Sequence, residues 1–402
     1  MNQLQKKVLE HIDEELLIDI AKDMISIPSI SGEEGKLAEF LVKRIGKLGF
    51  KAELQEVPGY KGRPNVIGIL EGDKDYRSLM FNGHIDQVPP APDWTRDPFK
   101  PEVINRRLYG HQHMKAGDAA MIIAAYAIKE AGIKPRGDII LTLVMGECDT
   151  FGLGTIEACK RYKADAGICG EPAGAHYILI TQVGVTQFQI TVEGRLAHQS
   201  QPQIQLNAIR KMCKIISKLD ASILTYKKHK LLEDPSLVIG KISGGLHPAF
   251  TAPSCTIHVD VRTVPGMAVE SVKKDVENLI EKLRKEDPEL KATVDMLEPP
   301  KFYPRPPLEV SQDEPIVQSI RRAHKYVTGE EPGIGADVWE SRGVTDAIWM
   351  INAGIPTPIY GPTCPEYLCQ LPNADVYMEV DDIVTVSKVM ALAALDFCTQ
   401  KK

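Results

Sequence analysis

Four short polar clusters stand at the end of a strand-like apolar segment or at the start of a helix, and they carry side chains that bind metals or move protons. They are Gly83-His84-Ile85-Asp86, His111-Gln112-His113, Glu147-Cys148-Asp149 and Gly170-Glu171-Pro172. Residues two apart in an extended segment point to the same side, so Asp86 can hold one ring nitrogen of His84 while the other binds a metal. A polar turn explains any one cluster alone, but four together favour a ligand site at one edge of a sheet.

The elements that must position these clusters alternate between helices and strands. Helices are predicted over 12–26, 35–48, 115–131 and 153–162, and strands over 65–70, 78–86, 139–146 and 165–172. Ser31 is a good start for the second of these helices. Strands alternating with helices predict an α/β protein whose mixed sheet is covered by helices.

The pattern changes after about residue 180. Half-exposed strands and two helices follow in the order strand–helix–strand–strand–helix–strand, which is typical of a ferredoxin-like α+β module. The proline-rich segment 298–307 is interpreted as a linker, after which the first pattern returns. We therefore expect one domain formed by 1–180 and 298–402, with a second domain, 181–297, inserted into it.

Composition excludes several classes of protein. The 402 residues contain 48 basic and 54 acidic side chains, a net charge of −6, so the basic excess of a nucleic-acid binder is missing. The first twenty residues contain no apolar run typical of a signal peptide or membrane span. The 8 cysteines are scattered without a CxxC pair, as in a reducing compartment. We expect a cytoplasmic protein that binds neither nucleic acid nor membrane.

Longer motifs extend from these clusters along most of the chain. G-H-x-D-x-V-P stands at 83–89, W-x-x-x-P-F at 94–99, L-Y-G…M-K-x-G at 108–117 and G-E-P at 170–172, with further matches at 194–200, 260–266, 345–347 and 360–362. These motifs resemble those of the zinc-dependent aminoacylase, acetylornithine deacetylase, succinyl-diaminopimelate desuccinylase and carboxypeptidase G family. The resemblance implies a zinc-exopeptidase-like catalytic domain with an inserted ferredoxin-like dimerisation, or lid, domain.

The resemblance also implies a site with two adjacent zinc ions bridged by one Asp. One ion takes the His of G-H-x-D and the Glu of G-E-P, which are His84 and Glu171 here, with Asp86 behind His84. The other ion takes the second Glu of a D-E-E run and a His near the C-terminus. The first Glu of that run is the general base for water attacking an amide carbonyl.

This sequence departs from the family pattern within the metal site. His113 stands where the bridging Asp is expected, Cys148 stands at the base, Asp149 at the ligand, and Gln370 in place of the second ion's His. The residues His84, His113 and Glu171 still form a two-histidine, one-carboxylate set for one ion. We therefore predict one divalent metal ion per chain, zinc first, with manganese, cobalt or iron as alternatives and Asp149 as a further ligand.

The sequence leaves the general base open. Asp149 ranks first and Glu147 second, because a small shift of register brings either carboxylate into place. Cys148 as a base, nucleophile or metal ligand is a third interpretation, since only a thiolate accepts a proton and acids flank this thiol. Further candidates to join the site are His111, Asp118, Glu366 and Gln370.

The insert carries two further candidate residues. In the family this domain pairs two chains, and the His of its A-H motif reaches the partner's active site to stabilise an oxyanion. His198 matches that position, so the resemblance implies a homodimer in which His198 acts in catalysis and substrate binding. Arg262 matches a position expected to bind a substrate carboxylate, although pairing with a neighbouring acid explains it equally well.

Three functional hypotheses follow. The first is a single-metal hydrolase that cleaves an amide or related C–N bond in a small carboxylated substrate. The second is an aminohydrolase acting on a non-peptide C–N bond, for instance in an aromatic amine or amidine. The third is a catalytically degenerate homologue that binds a small molecule or a protein. Against the third, His113 and Asp149 are metal-capable replacements, whereas loss of function would leave small or apolar residues.

Overall fold

The computed structural model describes residues 3–201, 206–297, 304–336, 343–363 and 374–402. The chain forms two compact units. The first comprises Met1–Thr181 and Glu309–Lys402, and the second is the continuous segment Gln182–Leu308. Within the described residues, no helix is both long and apolar enough to cross a bilayer.

The described helices and strands are numbered along the chain. The helices are α1 (Gln3–Glu10), α2 (Glu14–Ser26), α3 (Gly35–Lys47), α4 (Lys115–Glu130), α5 (Glu147–Thr150), α6 (Leu153–Arg161), α7 (Ala208–Ile216), α8 (Val269–Glu286), α9 (Pro315–Thr328), α10 (Ala347–Asn352) and α11 (Val380–Cys398). The strands are β1 (Lys51–Gln55), β2 (Asn65–Leu70), β3 (Leu79–His84), β4 (Glu102–Ile104), β5 (Arg107–Tyr109), β6 (Ile139–Val144), β7 (Ala166–Cys169), β8 (Tyr177–Gln182), β9 (Gly184–Glu193), β10 (Ser236–Gly244), β11 (Ser254–Thr263), β12 (Lys291–Met296), β13 (Leu308–Glu309), β14 (Gly333–Ala336) and β15 (Tyr377–Glu379).

The main sheet of the first unit has the strand order β1-β2-β6-β3-β7. β3 pairs in parallel with both β6 and β7, whereas β2 pairs antiparallel with β1 and β6. Every residue of β3, β6 and β7 is buried, which explains their nearly continuous apolar sequences. The predicted α/β class with a mixed sheet is confirmed. Because β3, β6 and β7 run in the same direction, their carboxyl ends share one edge of the sheet.

Helix α4 occupies the centre of the helical layer in the first unit. It packs against α2, α11 and β3. Its sequence is rich in alanine, and nearly all of its side chains are buried. A helix that is apolar all round is typical of such a central position. Its first turn therefore meets the end of β3 at close range.

The second unit has a four-stranded antiparallel sheet with the order β10-β11-β9-β12. Its elements follow one another as β9-α7-β10-β11-α8-β12. This order and topology are those of a ferredoxin-like module. The apolar side chains of α7 and α8 join the inward-facing residues of the sheet in one core. β10 forms an edge of the sheet, and most of its residues are exposed.

One local prediction is wrong, and one small sheet was not predicted. Helix α3 begins at Gly35 with Glu34 as its N-cap residue, and the Ser31 hydroxyl donates a hydrogen bond to Asp86 Oδ2 instead of capping a helix. The three-stranded sheet β15-β5-β4 was not predicted. Strands of three residues are too short to show an alternating pattern, and β15 reaches β5 from the far end of the chain.

Candidate metal centre

The shared carboxyl edge of β3, β6 and β7 brings three of the predicted clusters together. His84 is the last residue of β3, Glu147 begins α5 just after β6, and Glu171 follows β7. The fourth cluster arrives from the other side, because His113 stands two residues before the start of α4. Parallel strand order thus places groups from distant parts of the chain at one edge.

His84, His113 and Glu171 form a compact group of possible metal ligands. His84 Nε2 lies 3.3 Å from Glu171 Oε1, and His113 Nε2 lies 3.5 Å from Glu171 Oε2. A tetrahedral zinc ion at about 2.1 Å from each donor holds its donors about 3.4 Å apart. In addition, His84 Nε2 is buried and makes no hydrogen bond. The donor set and this unsatisfied nitrogen therefore fit one divalent cation.

Asp86 fixes the orientation of His84. Its main-chain carbonyl lies 2.9 Å, and its Oδ1 3.3 Å, from His84 Nδ1. The carboxylate also accepts hydrogen bonds from the backbone N–H groups of Glu147 and Cys148, at 2.9 and 3.0 Å. Burial alone would raise the pKa of Asp86, but hydrogen bonds from His84, Cys148 and Ser31 together with the His84 charge lower it to about 2. One permanently ionised carboxylate thus orients both the imidazole and the start of α5.

The buried charges of the group suit a cation. Burial disfavours the protonated form of His84, but the carboxylates of Glu171 and Asp86 raise its pKa well above the ordinary value. Burial likewise opposes ionisation of Glu171, yet the charges of His113 and His84 lower its pKa. Burial lowers the pKa of His113, which favours the neutral ring that ligates metals. The pocket thus holds a net negative charge beside an unprotonated imidazole.

A sharp turn after β6 presents Glu147, Cys148 and Asp149. Gly146 has φ of 73°, and a Cβ there would collide with the Thr150 side chain. Possible ligand atoms of His84, Glu147 and Cys148 lie within 4.8 Å of one another. Burial, followed by the Asp86 charge, raises the pKa of Cys148, so a thiolate is disfavoured. Of the three residues, Glu147 therefore offers an ionisable oxygen close to His84.

Asp149 belongs to a different cluster. Arg63 Nη1 and Nη2 donate to its two carboxylate oxygens at 3.0 and 2.8 Å. The same guanidinium donates to both oxygens of buried Glu34, at 2.5 and 2.7 Å. Sequence reasoning missed Arg63 and Glu34, because nothing in the Gly62-Arg63-Pro64 segment marks it as a partner of a residue 86 positions away.

The first turn of α4 places two charged residues in the core. Lys115 is fully buried and donates to the carbonyls of Met24 and Ile27 at 2.8 and 3.0 Å, at the end of α2. Asp118 is also fully buried, and no described residue donates a hydrogen bond to its carboxylate. Burial raises the pKa of Asp118 well above its usual range. A Cβ at Gly83 would collide with Asp118, so the glycine before His84 allows the close approach of α4.

His111 lies outside the ligand group of the described residues. Its Nε2 lies 2.7 Å from the Val88 carbonyl, and its ring contacts Trp94 and Phe99 edge-on. Burial lowers its pKa. These contacts account for a neutral structural histidine that anchors the segment after β3. Glu366 and Gln370 lie outside the described residues.

In the second unit, His198 is exposed and its Nδ1 lies 2.8 Å from the Ser200 hydroxyl, with its ring edge-on to Phe250. Arg262 Nε donates to Asp260 Oδ1 at 2.8 Å, as the structural interpretation of this arginine expects. The roles of His198 and Arg262 towards a substrate stay predictions.

A histidine and a carboxylate at the ends of parallel strands, together with a second histidine just before a helix, form a ligand set typical of a metal-dependent hydrolase. The chain belongs to peptidase family M20/M25/M40, whose profile matches residues 80–396. Similar proteins with established names are hydrolases of amide C–N bonds. The predictions of the family and of a C–N hydrolase are thereby confirmed.

Three similar proteins define the likeness. The chain is 32% identical to the N-formyl-4-amino-5-aminomethyl-2-methylpyrimidine deformylase of Bacillus subtilis, over 99% of this chain and 98% of that protein. It is 26% identical to the acetylornithine deacetylase of Photorhabdus laumondii, over 95% of this chain and 97% of that enzyme. Among solved structures, the aminopeptidase PepT of Bacillus cereus has the same fold, with a TM-score of 0.77 at 19% identity over 95% of this chain and 99% of that one.

Proposed function

We propose that this protein removes a formyl or similarly small acyl group from an amine on a pyrimidine or comparable small ring, using one divalent metal ion. The observation that carries the proposal is the His84–His113–Glu171 group, in which His84 Nε2 is buried without a hydrogen bond. Similarity along nearly the whole length of a pyrimidine deformylase supports the choice of acyl group and amine. This substrate belongs to the non-peptide C–N bonds considered from the sequence.

A carboxylated N-acyl amino acid is the second candidate substrate. The acetylornithine deacetylase supports it at lower identity, 26% against 32%. Arg262 would recognise the carboxylate in that case, but its guanidinium already pairs with Asp260. The aminopyrimidine is therefore preferred. A pure binding function is disfavoured because His84, His113 and Glu171 lie close together and none of these three ligand positions carries an apolar residue.

The ligands of the proposed single ion are His84, His113 and Glu171. Zinc is the first choice, since two imidazoles and one carboxylate with an open position are typical of catalytic zinc. Manganese, cobalt and iron suit the same donors. Asp149, which was predicted as a ligand, is omitted from this set because both of its oxygens accept hydrogen bonds from Arg63.

The side chains divide the work of hydrolysis among them. A divalent ion held by His84, His113 and Glu171 would supply polarisation of the amide carbonyl and would lower the pKa of water. Asp86 holds the His84 ring in place, and it also holds the backbone of Glu147 through a hydrogen bond. Glu147 takes a proton from the attacking water and passes it to the departing amine nitrogen, so the C–N bond breaks to give a carboxylic acid and a free amine. The raised pKa of Cys148 makes the thiol a poor base.

Substrate choice is tested by measuring product release from protein loaded with zinc or manganese. We expect formate from N-formyl-4-amino-5-aminomethyl-2-methylpyrimidine, with kcat/KM at least about tenfold above that for N-acetylornithine, a difference of about 1.4 kcal/mol. Acetate from N-acetylornithine without any formate release would instead assign the carboxylated class. A metal-loaded protein that turns over neither compound nor succinyl-diaminopimelate would contradict the proposed hydrolysis of small N-acyl groups.

We further propose a homodimer formed through the second unit. β10 is an edge strand and carries exposed Val238 and Ile242, and Leu246 just beyond it is 76% exposed. An edge strand with a row of exposed apolar side chains is a surface for pairing. In such a dimer, His198 of each chain would serve the active site of the other, as the family resemblance implies.

Light scattering and kinetics of variants test this assembly. We expect a dimer for the wild type at micromolar concentration and a monomer for Ile242→Glu. Dimerisation of this variant would have to remove water from the new carboxylate on the pairing edge, which costs free energy. Val103→Glu, at an exposed apolar position of the first unit, is the matched control and stays dimeric. His198→Ala should lower kcat by about 10²- to 10³-fold with full metal content, as for loss of an oxyanion donor. A fully active wild-type monomer would exclude both the dimer and this role of His198.

A further inference from the structure

A group of three carboxylates lies beside the candidate metal centre. Oxygens of Glu34, Asp86 and Asp149 lie within 4.8 Å of one another. Glu34 and Asp86 are fully buried, whereas the Asp149 side chain is 38% exposed. Three negative charges this close require a cation or protons to be stable. Asp86 belongs to both neighbourhoods, since it also holds His84.

Arg63 supplies a positive charge to two carboxylates of this group, Glu34 and Asp149. Its side chain is only 10% exposed, and its guanidinium carbon lies over the Tyr60 ring, 5.4 Å from the ring centre. Its nitrogens donate to both oxygens of Glu34 and both oxygens of Asp149. A guanidinium cannot lose its proton in a protein, so this positive charge is permanent. Arg63 thus makes two hydrogen bonds to each carboxylate, and such bidentate pairs are among the strong charge-assisted hydrogen bonds.

No oxygen of the three carboxylates is left without a hydrogen bond. Those of Glu34 and Asp149 accept from Arg63, as described above. Asp86 Oδ1 accepts from Glu147 N, and its Oδ2 accepts from Cys148 N and from the Ser31 hydroxyl. A divalent ion entering here would have to break these bonds and stand next to a buried positive charge.

We propose that Arg63 occupies the Glu34–Asp86–Asp149 group and thereby keeps a second metal ion out, restricting the neighbouring centre to one. This proposal rests on the metal centre of the proposed function. Arg63 is a positioning residue in this role, since it acts through Asp149 and Glu34 and touches no reacting atom. Once the guanidinium is removed, the three carboxylates present oxygens at the spacing that a divalent ion binds.

The experiment counts metal ions bound to the full-length chain after loading with manganese or zinc and desalting, with Mn(II) titration followed by electron paramagnetic resonance. We expect one ion in the wild type, two in Arg63→Met, and one again in Arg63→Met/Asp149→Asn, because the new site loses a ligand. Arg63→Lys keeps a positive charge and should bind one. Arg106→Met is the matched control, since Arg106 also joins two carboxylates, Glu14 and Asp381, on the surface, and it should bind one ion.

Thermal unfolding of each variant establishes that it is folded, and Arg63→Gln replaces Arg63→Met if the latter does not fold. A single ion in a folded Arg63→Met or Arg63→Gln variant would overturn the role of Arg63 and leave the hydrolase proposal intact. A second ion in the wild type would overturn the role of Arg63 together with the single-ion part of the proposed function, but not the proposed hydrolysis. A wild type that binds no ion would instead contradict the metal centre itself, so the two failures are distinguishable.

Discussion

Replacing His84 or Glu171 by alanine is expected to remove the bound metal and the hydrolase activity together. His84 Nε2 is a buried atom that lies 3.3 Å from Glu171 Oε1 and makes no hydrogen bond, so each residue supplies one ligand of the proposed set. Activity should fall by at least about 10³-fold, because a catalytic metal supplies several kcal/mol and about 1.4 kcal/mol corresponds to tenfold. Metal content after desalting and kcat/KM are the two measurements.

Two histidine variants sharpen this result. His113→Ala should weaken metal binding, since His113 Nε2 faces Glu171 Oε2 at 3.5 Å. His111→Gln is the matched control, because its ring nitrogen contacts the Val88 carbonyl and lies outside the ligand group, and it should keep the metal. Full metal occupancy in His84→Ala or Glu171→Ala would show that the assigned ligands are wrong. Loss of metal in His111→Gln with retention in His113→Ala would transfer the ligand role to His111.

Replacing Glu147 by glutamine is expected to lower kcat by about 10²- to 10⁴-fold while the metal stays bound, which is the usual contribution of a general base. Glutamine keeps the size of the side chain but cannot accept the proton of the attacking water. The backbone hydrogen bond from Glu147 to Asp86 is unaffected by the change, so the turn at α5 should persist. Steady-state kinetics with a parallel metal determination gives the answer.

Changes at the two neighbouring positions separate the three candidate bases. Asp149→Asn should reduce kcat far less than Glu147→Gln, because Asp149 is engaged by Arg63. Cys148→Ser should also have a small effect, since burial and nearby acids raise the pKa of the thiol. If Asp149→Asn lowers kcat more than Glu147→Gln does, the base is Asp149, which is the first of the candidate bases predicted from the sequence. A dominant effect of Cys148→Ser would instead point to sulfur chemistry or ligation.

Much of the site could be predicted because its residues stand next to strongly patterned elements. His84 and Asp86 follow one apolar strand, Glu147 follows another, and Glu171 a third. A continuous apolar run in the sequence indicates a buried parallel strand. Polar residues at the carboxyl ends of such strands lie at one edge of the sheet and can therefore form a site. The alternation of strands and helices likewise determined the α/β class.

The tertiary structure alone decided which neighbours these groups have. Ser31 looked like a helix cap, but its hydroxyl bonds Asp86, 55 positions away. Asp149 is predicted as a ligand from the sequence, and the structure shows both of its oxygens accepting hydrogen bonds from Arg63, 86 positions away. No local sequence pattern marks either partner. Hydrogen-bond partners of polar side chains depend on their distance in the folded chain and on the geometry of the guanidinium or hydroxyl group.

The sequence by itself therefore determined the buried parallel strands, the sheet edge at which the polar clusters meet, and the residue types able to hold a metal. It did not determine which carboxylate near His84 is available for proton transfer. The contacts of these carboxylates depend on the tertiary structure, in which buried Arg63 pairs with Asp149 and Glu34 while His84 Nε2 faces Glu171. Long-range electrostatic pairing of this kind arises only when the folded chain excludes water and leaves each buried charge to find a partner.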